Sequence, residues 1–339
     1  MDPAPSASMP FASYTGQIAA VGAAVLWTAS ALFFTAACKR IGSVHVNLLR
    51  LLMALVFSMP FAWLMRGVAL PIDATASQWL WLGISGAIGF FLSDLCLFEA
   101  YVRIGPRLTT LFFTVSPPVG ALLGWIFLGE RMIPVNLLGM AITIAGVVWV
   151  VVERPPGSAA KSARPTSFGI LLAFFFGVGN ALSFFFAKLG IGDLPPLAAA
   201  QVRMIAGLAG FLLLFTFARR WRRFFAAFRH GAALGVITAG AFVGPFVGVV
   251  LSMVAIKYAY VGVVTTILTT VPILIIPFAI VLYHERITFR AVLGALLAVP
   301  AWRSSLSAAD PSAKNQRPIF SSAALAPRPH PPPLTVSAA

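Results

Sequence analysis

Long apolar runs separated by short polar breaks dominate the chain. A helix needs roughly 20 residues to cross a hydrocarbon core about 30 Å thick. Runs of that order fall near 16–38, 46–65, 79–98, 107–128 and 134–152. They recur near 168–190, 197–217, 231–256, 260–282 and 288–302, the last of them short. The pattern predicts an all-α integral membrane protein with ten transmembrane helices. The first fifteen residues lack a basic n-region and the first run is too long for a signal-peptide core, so it reads as a retained helix. Between the two sets of five, residues 153–167 carry Pro155, Pro156, Gly157, Ser158, Lys161, Arg164 and Pro165, the composition of a linker.

Composition supports this and removes other classes. Hydrophobic residues make up 60% of the chain and charged ones only 10%, against about 25% charged in a soluble domain. The 24 Lys and Arg against 9 Asp and Glu give a net charge of +15. In a soluble chain that balance suggests nucleic-acid binding. Here the basic residues lie mostly between apolar runs, as in loops facing the anionic lipid of a bilayer, so no nucleic-acid partner is expected. Cys38 and Cys96 both sit inside apolar runs and form no disulfide framework or metal spacing.

An internal repeat fixes the architecture further. Gly16, Trp27, Ser30 and Arg50 fall 153 positions before Gly169, Asn180, Ser183 and Arg203. Gly89, Ala100, Thr110, Pro117, Glu130, Arg131 and Gly139 recur 155 positions later as Gly244, Ala255, Thr265, Pro272, Glu285, Arg286 and Gly294. Five spans is an odd number, so the second half enters the membrane in the opposite sense, and the fold becomes two inverted five-helix repeats. Inverted repeats characterise secondary transporters, whose halves rock about a midplane site. The expected segments are 1–15, a first repeat over 16–152, the linker 153–167, a second repeat over 168–302 and a tail over 303–339.

Each half carries an early-span Arg (Arg50, Arg203), a mid-span Pro (Pro117, Pro272), a Glu-Arg pair (Glu130-Arg131, Glu285-Arg286) and then a Gly (Gly139, Gly294). Over about residues 16–299 this set resembles the EamA-type ten-helix branch of the drug/metabolite transporter superfamily. The resemblance implies a carrier in a cell membrane, plasma or inner, that works by alternating access without a cofactor. It also implies a small-molecule solute, often an exported amino acid or related metabolite. A non-transporting receptor or scaffold is the alternative, and pairing into a homodimer stays open.

Candidate substrate-binding residues lie near mid-span. Trp27 and Asn180 occupy the centres of the first and sixth spans, with Ser30 and Ser183 one turn further on the same faces. Polar groups in lipid need a partner, either a neighbouring helix or a solute. Pro117 and Pro272 each free a carbonyl four residues earlier, and Thr114 and Thr269 stand beside them with hydroxyls. The bland alternatives are packing residues, and kinks that re-satisfy their own backbone. Glycines in the third and eighth spans, among them Gly83, Gly86, Gly89, Gly244 and Gly248, read as close-packing positions.

Asp94 is the one acidic residue well inside a span, a functional candidate by default. Arg50 lies at similar depth, so an Asp94–Arg50 contact is expected, either bracing that face or opening on protonation to give proton coupling. Arg203 reads as interfacial, Lys188 and Lys257 as snorkelling from span ends, and the Glu-Arg pairs as loop locks or caps. No cation is expected at the midplane. The histidines His45, His230, His284 and His330 lie in loops, span ends or the tail, and no nucleophile-base set or metal motif appears, which argues against an enzyme.

Two indications of orientation oppose each other. Outside the spans, one side receives 13 Lys and Arg and the other 8, which by the positive-inside rule places both termini outside. The family resemblance implies both inside. Beyond Val299 a Pro/Ser/Ala-rich stretch replaces the expected apolar helix. Residues 299–305, Val-Pro-Ala-Trp-Arg-Ser-Ser, are what codons for Val-Ala-Gly-Val-Ala-Leu-Leu become on loss of one nucleotide. A frameshift there, leaving a carrier with a truncated tenth helix, is therefore expected; resequencing the gene tests it, against a genuine disordered tail.

Overall fold

The computed structural model describes residues 14–130, 166–219, 221–227 and 231–271, with scattered positions between 134 and 148 and Leu274. Every regular element among the described residues is helical. Among the described residues six helices are long and apolar enough to cross a membrane, and Phe112–Leu128 is a shorter apolar one. The protein is an all-helical membrane protein. The expected spans near 134–152, 288–302 and the later part of 260–282, Pro272, the Glu285-Arg286 pair and the tail lie outside the described residues or are covered only at scattered positions.

Helix α1 (Thr15–Ile41) breaks at Gly42, whose φ of 85° favours glycine, and α2 (Ser43–Arg66) follows at once. Gly67 closes α2 in the left-handed conformation, donating its N–H to Trp63 O. Arg66 then ion-pairs with Asp73 across the loop, and this guanidinium holds the Asp73 carboxyl below the usual carboxylate range. Thr75 and Gln78 form a reciprocal capping box that starts α3 (Ala76–Gly86). A π-helical turn (Ala87–Ser93) leads into α4 (Asp94–Leu111), then a 3₁₀ turn (Phe112–Val115) and α5 (Ser116–Leu128).

The second half opens with α6 (Ser167–Ile191), capped by Thr166, and α7 (Pro196–Phe217), whose first residue is a proline that needs no N–H there. After the short α8 (Trp221–Ala227) come α9 (Gly231–Ala241), a second π-helical turn (Phe242–Gly248), α10 (Val249–Tyr258) and α11 (Val261–Leu268). The two π-helical turns stand 155 positions apart, the offset of the sequence repeat.

The expected turn between the third and fourth spans is made without a non-helical break. The polar stretch 99–106 reads as a loop, yet helical backbone continues to Leu111. Arg103 Nε donates to Glu99 Oε1 at 2.8 Å, an i,i+4 pair that supports helix at this position. The chain nevertheless reverses near Ile104. Ser85, Ser93 and Ile104 meet successively earlier positions of α6, namely Ser183, Gly179 and Gly169. Phe113, Ser116 and Phe127 then meet successively later ones, Phe176, Asn180 and Phe185.

The core is built across the halves. Helix α1 packs along α9, the second π-helical turn and α10, while α6 packs along α3, the first π-helical turn and α4. Likewise α2 lies against α7, and α5 against α11. Small residues permit these approaches: a Cβ added at Gly248 would come within 2.7 Å of the Trp27 ring, and one at Gly86 would strike the Arg203 backbone.

Candidate solute cavity

A cavity of about 700 Å³ lies where the two halves meet. Its deep wall includes Trp27, Ser30, Asn180, Ser183 and Arg203; toward one end it reaches Gly42, Ser43 and Glu99. The two π-helical turns border it through Gly89 and Phe90 on one side and Gly244 and Pro245 on the other. Turns of this kind interrupt regular helix and recur at functional sites.

Four residues picked out by the repeat come together here. Trp27 stacks on Phe184 with ring centroids 6.2 Å apart. The Ser30 hydroxyl donates to Trp27 O at 3.0 Å, and Asn180 Oδ1 accepts from Ser116 Oγ at 3.3 Å. Ser183 donates to Ser85 O at 2.8 Å and accepts from Arg203 at 3.0 Å. Thr114 and Thr269 are buried but do not line the cavity, and Thr269 returns its hydroxyl to Thr266 O at 2.7 Å, the backbone-satisfying arrangement. Pro117 also stays out of the wall; it sits in the first turn of α5, where its missing N–H costs no helical bond, so it starts that helix and does not kink its middle.

Asp94 and Arg50 form an ion pair, and both line the cavity. Their side chains are only 14% and 11% exposed. The Arg50 guanidinium also lies over the Phe34 and Phe98 rings, 5.6 and 5.3 Å from their centroids.

Arg203 corrects the reading of it as interfacial, and with it the expectation of no central cation. It is 3% exposed and lines the cavity. It donates to Ser183 Oγ and, at 3.2 Å, to Met253 Sδ, and lies 4.9 Å from the Phe90 centroid. Counting residues from the span's end misplaced it, because α7 begins already enclosed: Leu197 to Met204 are all buried.

At the opposite end of α1, charged side chains bond to the backbone at chain turns. Lys188 and Lys257 do not snorkel: Lys188 Nζ donates to Ile256 O and Ala259 O at 2.6 and 2.8 Å, and Lys257 Nζ to Leu194 O at 3.0 Å. Each ammonium finds unsatisfied carbonyls at a chain turn within reach. Glu130, just beyond α5, accepts the Val261 N–H at 3.0 Å and caps α11. Burial pushes its carboxyl from 4.5 up to about 7, an effect the Lys188 charge and the Val261 N–H reduce but do not cancel. The folded state therefore holds a proton that the unfolded chain releases, and this stabilising contribution is lost as pH rises from about 4.5 through about 7. Glu130→Gln, which keeps an acceptor for Val261, is expected to flatten the pH dependence of the unfolding midpoint across that window in thermal scans.

Matched sets of membrane helices around a partly polar central cavity are the build of a multi-pass transporter. The comparison with known families says which kind: residues 14–152 and 167–302 each match the EamA-like transporter family, and the chain belongs to that family, within the drug/metabolite transporter superfamily. The double match supports a duplicated architecture, and the family is typically non-enzymatic. Among 28 matching chains of solved structure, one crystal structure, described simply as that of a protein, superposes with a TM-score of 0.67 at 18% identity, covering 86% of this chain and 97% of that one. That likeness concerns the fold alone. No curated protein matches the sequence.

Proposed function

We propose that the protein is a secondary carrier that exports a small amphipathic metabolite across a plasma or inner membrane by alternating access. The observation that carries this is the cavity itself, walled by repeat-related residues from both halves: Ser30 with Ser183, Arg50 with Arg203. Trp27, Ser30, Asn180 and Ser183 contact the solute; Thr114, Pro117 and Thr269 shape the helices behind the wall. Ten helices in two inverted five-helix repeats are the frame. The inversion is supported by Ala259, which meets both Gly16 at the start of α1 and Lys188 at the end of α6, so corresponding helices run in opposite senses.

In the described state the cavity reaches the end marked by Gly42 and Ser43, while Glu130, Lys188 and Lys257 hold the other end shut. Exchange of these two conditions between the repeats moves the solute. Asp94 supplies coupling, because protonating its carboxylate removes the charge that Arg50 faces. Transport by Asp94→Asn measured at several pH values is expected to lose the wild-type pH dependence; an unchanged profile removes Asp94 as the coupling group.

Reconstitution into liposomes loaded with a mixed metabolite extract, with mass spectrometry of what leaves, tests the carrier reading. Selective release of a few solutes is expected. No solute-specific release from a folded sample would contradict transport and favour a receptor or scaffold.

A further inference from the structure

The repeat places Arg50 and Arg203 at equivalent positions, yet their surroundings differ. Arg50 faces two residues of α4 spaced i,i+4: Asp94, which takes its ion pair, and Phe98, whose ring it covers. The corresponding residues of α10, 155 positions on, are Val249 and Met253. Arg203 does meet Met253, but where Arg50 has a carboxylate the second half offers a valine. Among the described residues Arg203 has no ion-pair partner, whereas Arg50 has Asp94, and its Nε, like that of Arg50, has no hydrogen-bond partner. Thioether sulfur and a hydroxyl are weak company for a guanidinium buried this completely.

The remaining charges in the wall are already engaged. Asp94 lies within electrostatic reach of Arg203 but is hydrogen-bonded to Arg50. Glu99 at the mouth takes Arg103. Arg203 is therefore the charge of the described wall that has no carboxylate of its own, and Glu99, the one carboxylate besides Asp94 among the described lining residues, stands at the mouth paired with Arg103. The Phe90 and Phe184 rings lie 4.9 and 5.6 Å from that charge, and Trp27, Phe34, Phe113 and Phe176 line the same cavity. A cavity of about 700 Å³ lies well within the range that encloses a drug-sized ligand.

We infer that Arg203 is the anion-binding residue of this cavity, and that the carried solute is an amphipathic organic anion, a carboxylate on an apolar or aromatic body, rather than a zwitterion or a cation. The inference rests on the carrier reading. The solute's carboxylate occupies the role that Asp94 plays for Arg50, with the absent acidic residue supplied by each molecule transported. A guanidinium presents paired donors in a fork that matches a carboxylate.

The test uses the full-length protein in lipid nanodiscs and four probes on one nine-carbon frame: 3-phenylpropionate, phenylalanine, 3-phenylpropylamine and 3-phenylpropanol. Titration should show 3-phenylpropionate binding at least ten-fold more tightly than the amine or the alcohol, with phenylalanine weaker than the simple acid. Val249→Asp recreates within the protein the carboxylate that the first half has; it is expected to weaken 3-phenylpropionate at least ten-fold and leave the alcohol unchanged. Arg203→Met should abolish the preference, and if that variant does not fold, Val249→Asp decides alone. Equal binding of all four probes, preference for the amine, or anion binding untouched by Val249→Asp overturns the inference. Liposome release keeps the two readings apart: solute-specific release of cations or neutral compounds refutes the anion while the carrier stands, whereas no release refutes both.

Discussion

Asp94→Asn is expected to destabilise the folded protein by about 3 kcal/mol, the lower end of what breaking a buried ion pair costs when one charge is left without its partner. The lower end applies because both side chains retain slight exposure to the cavity, and because the Phe34 and Phe98 rings still face Arg50. Removing both charges in Arg50→Met/Asp94→Asn should recover most of the loss, since a buried pair stabilises little relative to apolar groups of similar size. Thermal unfolding of the purified variants reads both effects. A single mutant as stable as wild type would mean that water, not Asp94, compensates Arg50.

The second large effect concerns close packing between the halves. Gly86→Ala places a methyl group against the Arg203 backbone, which cannot swing aside as a long side chain can. Overpacking of this kind costs about 1–3 kcal/mol or more, and here it also displaces the residue assigned to anion binding. Gly83 lies one turn earlier in the same helix with nothing within 4 Å of an added Cβ. Gly83→Ala should therefore be neutral or stabilising, because alanine gains about 1 kcal/mol over glycine inside a helix. The contrast between two identical substitutions three residues apart, read as unfolding midpoints, separates interface contact from helix propensity. Equal effects would contradict the close approach of α3 and α7.

These positions show how much the sequence reveals. Apolar run lengths locate the spans because lipid thickness imposes them, and the doubling at offsets of 153 and 155 is legible because scarce residue types repeat. The Asp94–Arg50 contact follows from depth alone, since two charges at one level in an apolar medium seek each other. Trp27, Ser30, Asn180 and Ser183 are legible for the same reason the repeat is, and the structure gathers them at one cavity.

What stays hidden depends on tertiary surroundings. Arg203 reads as interfacial because distance from a span's end says nothing about which neighbours enclose it; α7 is buried by α2, α3 and the first π-helical turn of the other half together with α10 of its own. Comparing Arg203 with Arg50 offers the missed signal, because Val249 stands where the first repeat has Asp94. Lys188 and Lys257 read as snorkelling because sequence does not show the carbonyls of Ile256, Ala259 and Leu194 brought within their reach. Pro117 reads as a mid-span kink because the 3₁₀ turn before it, which makes it a helix start, has no signature in composition.

The central claim is that the cavity between the repeats is where solute binds and crosses. Trp27→Ala/Asn180→Ala removes its stacked aromatic floor and its mid-span amide while leaving the Arg50–Asp94 pair and the closed end intact. The decisive measurement is solute-specific release from liposomes holding equal amounts of folded wild type and double mutant, loaded with the same metabolite extract. The account predicts that the solutes released by wild type stay inside with the mutant; release of the same solutes at the wild-type rate would contradict it.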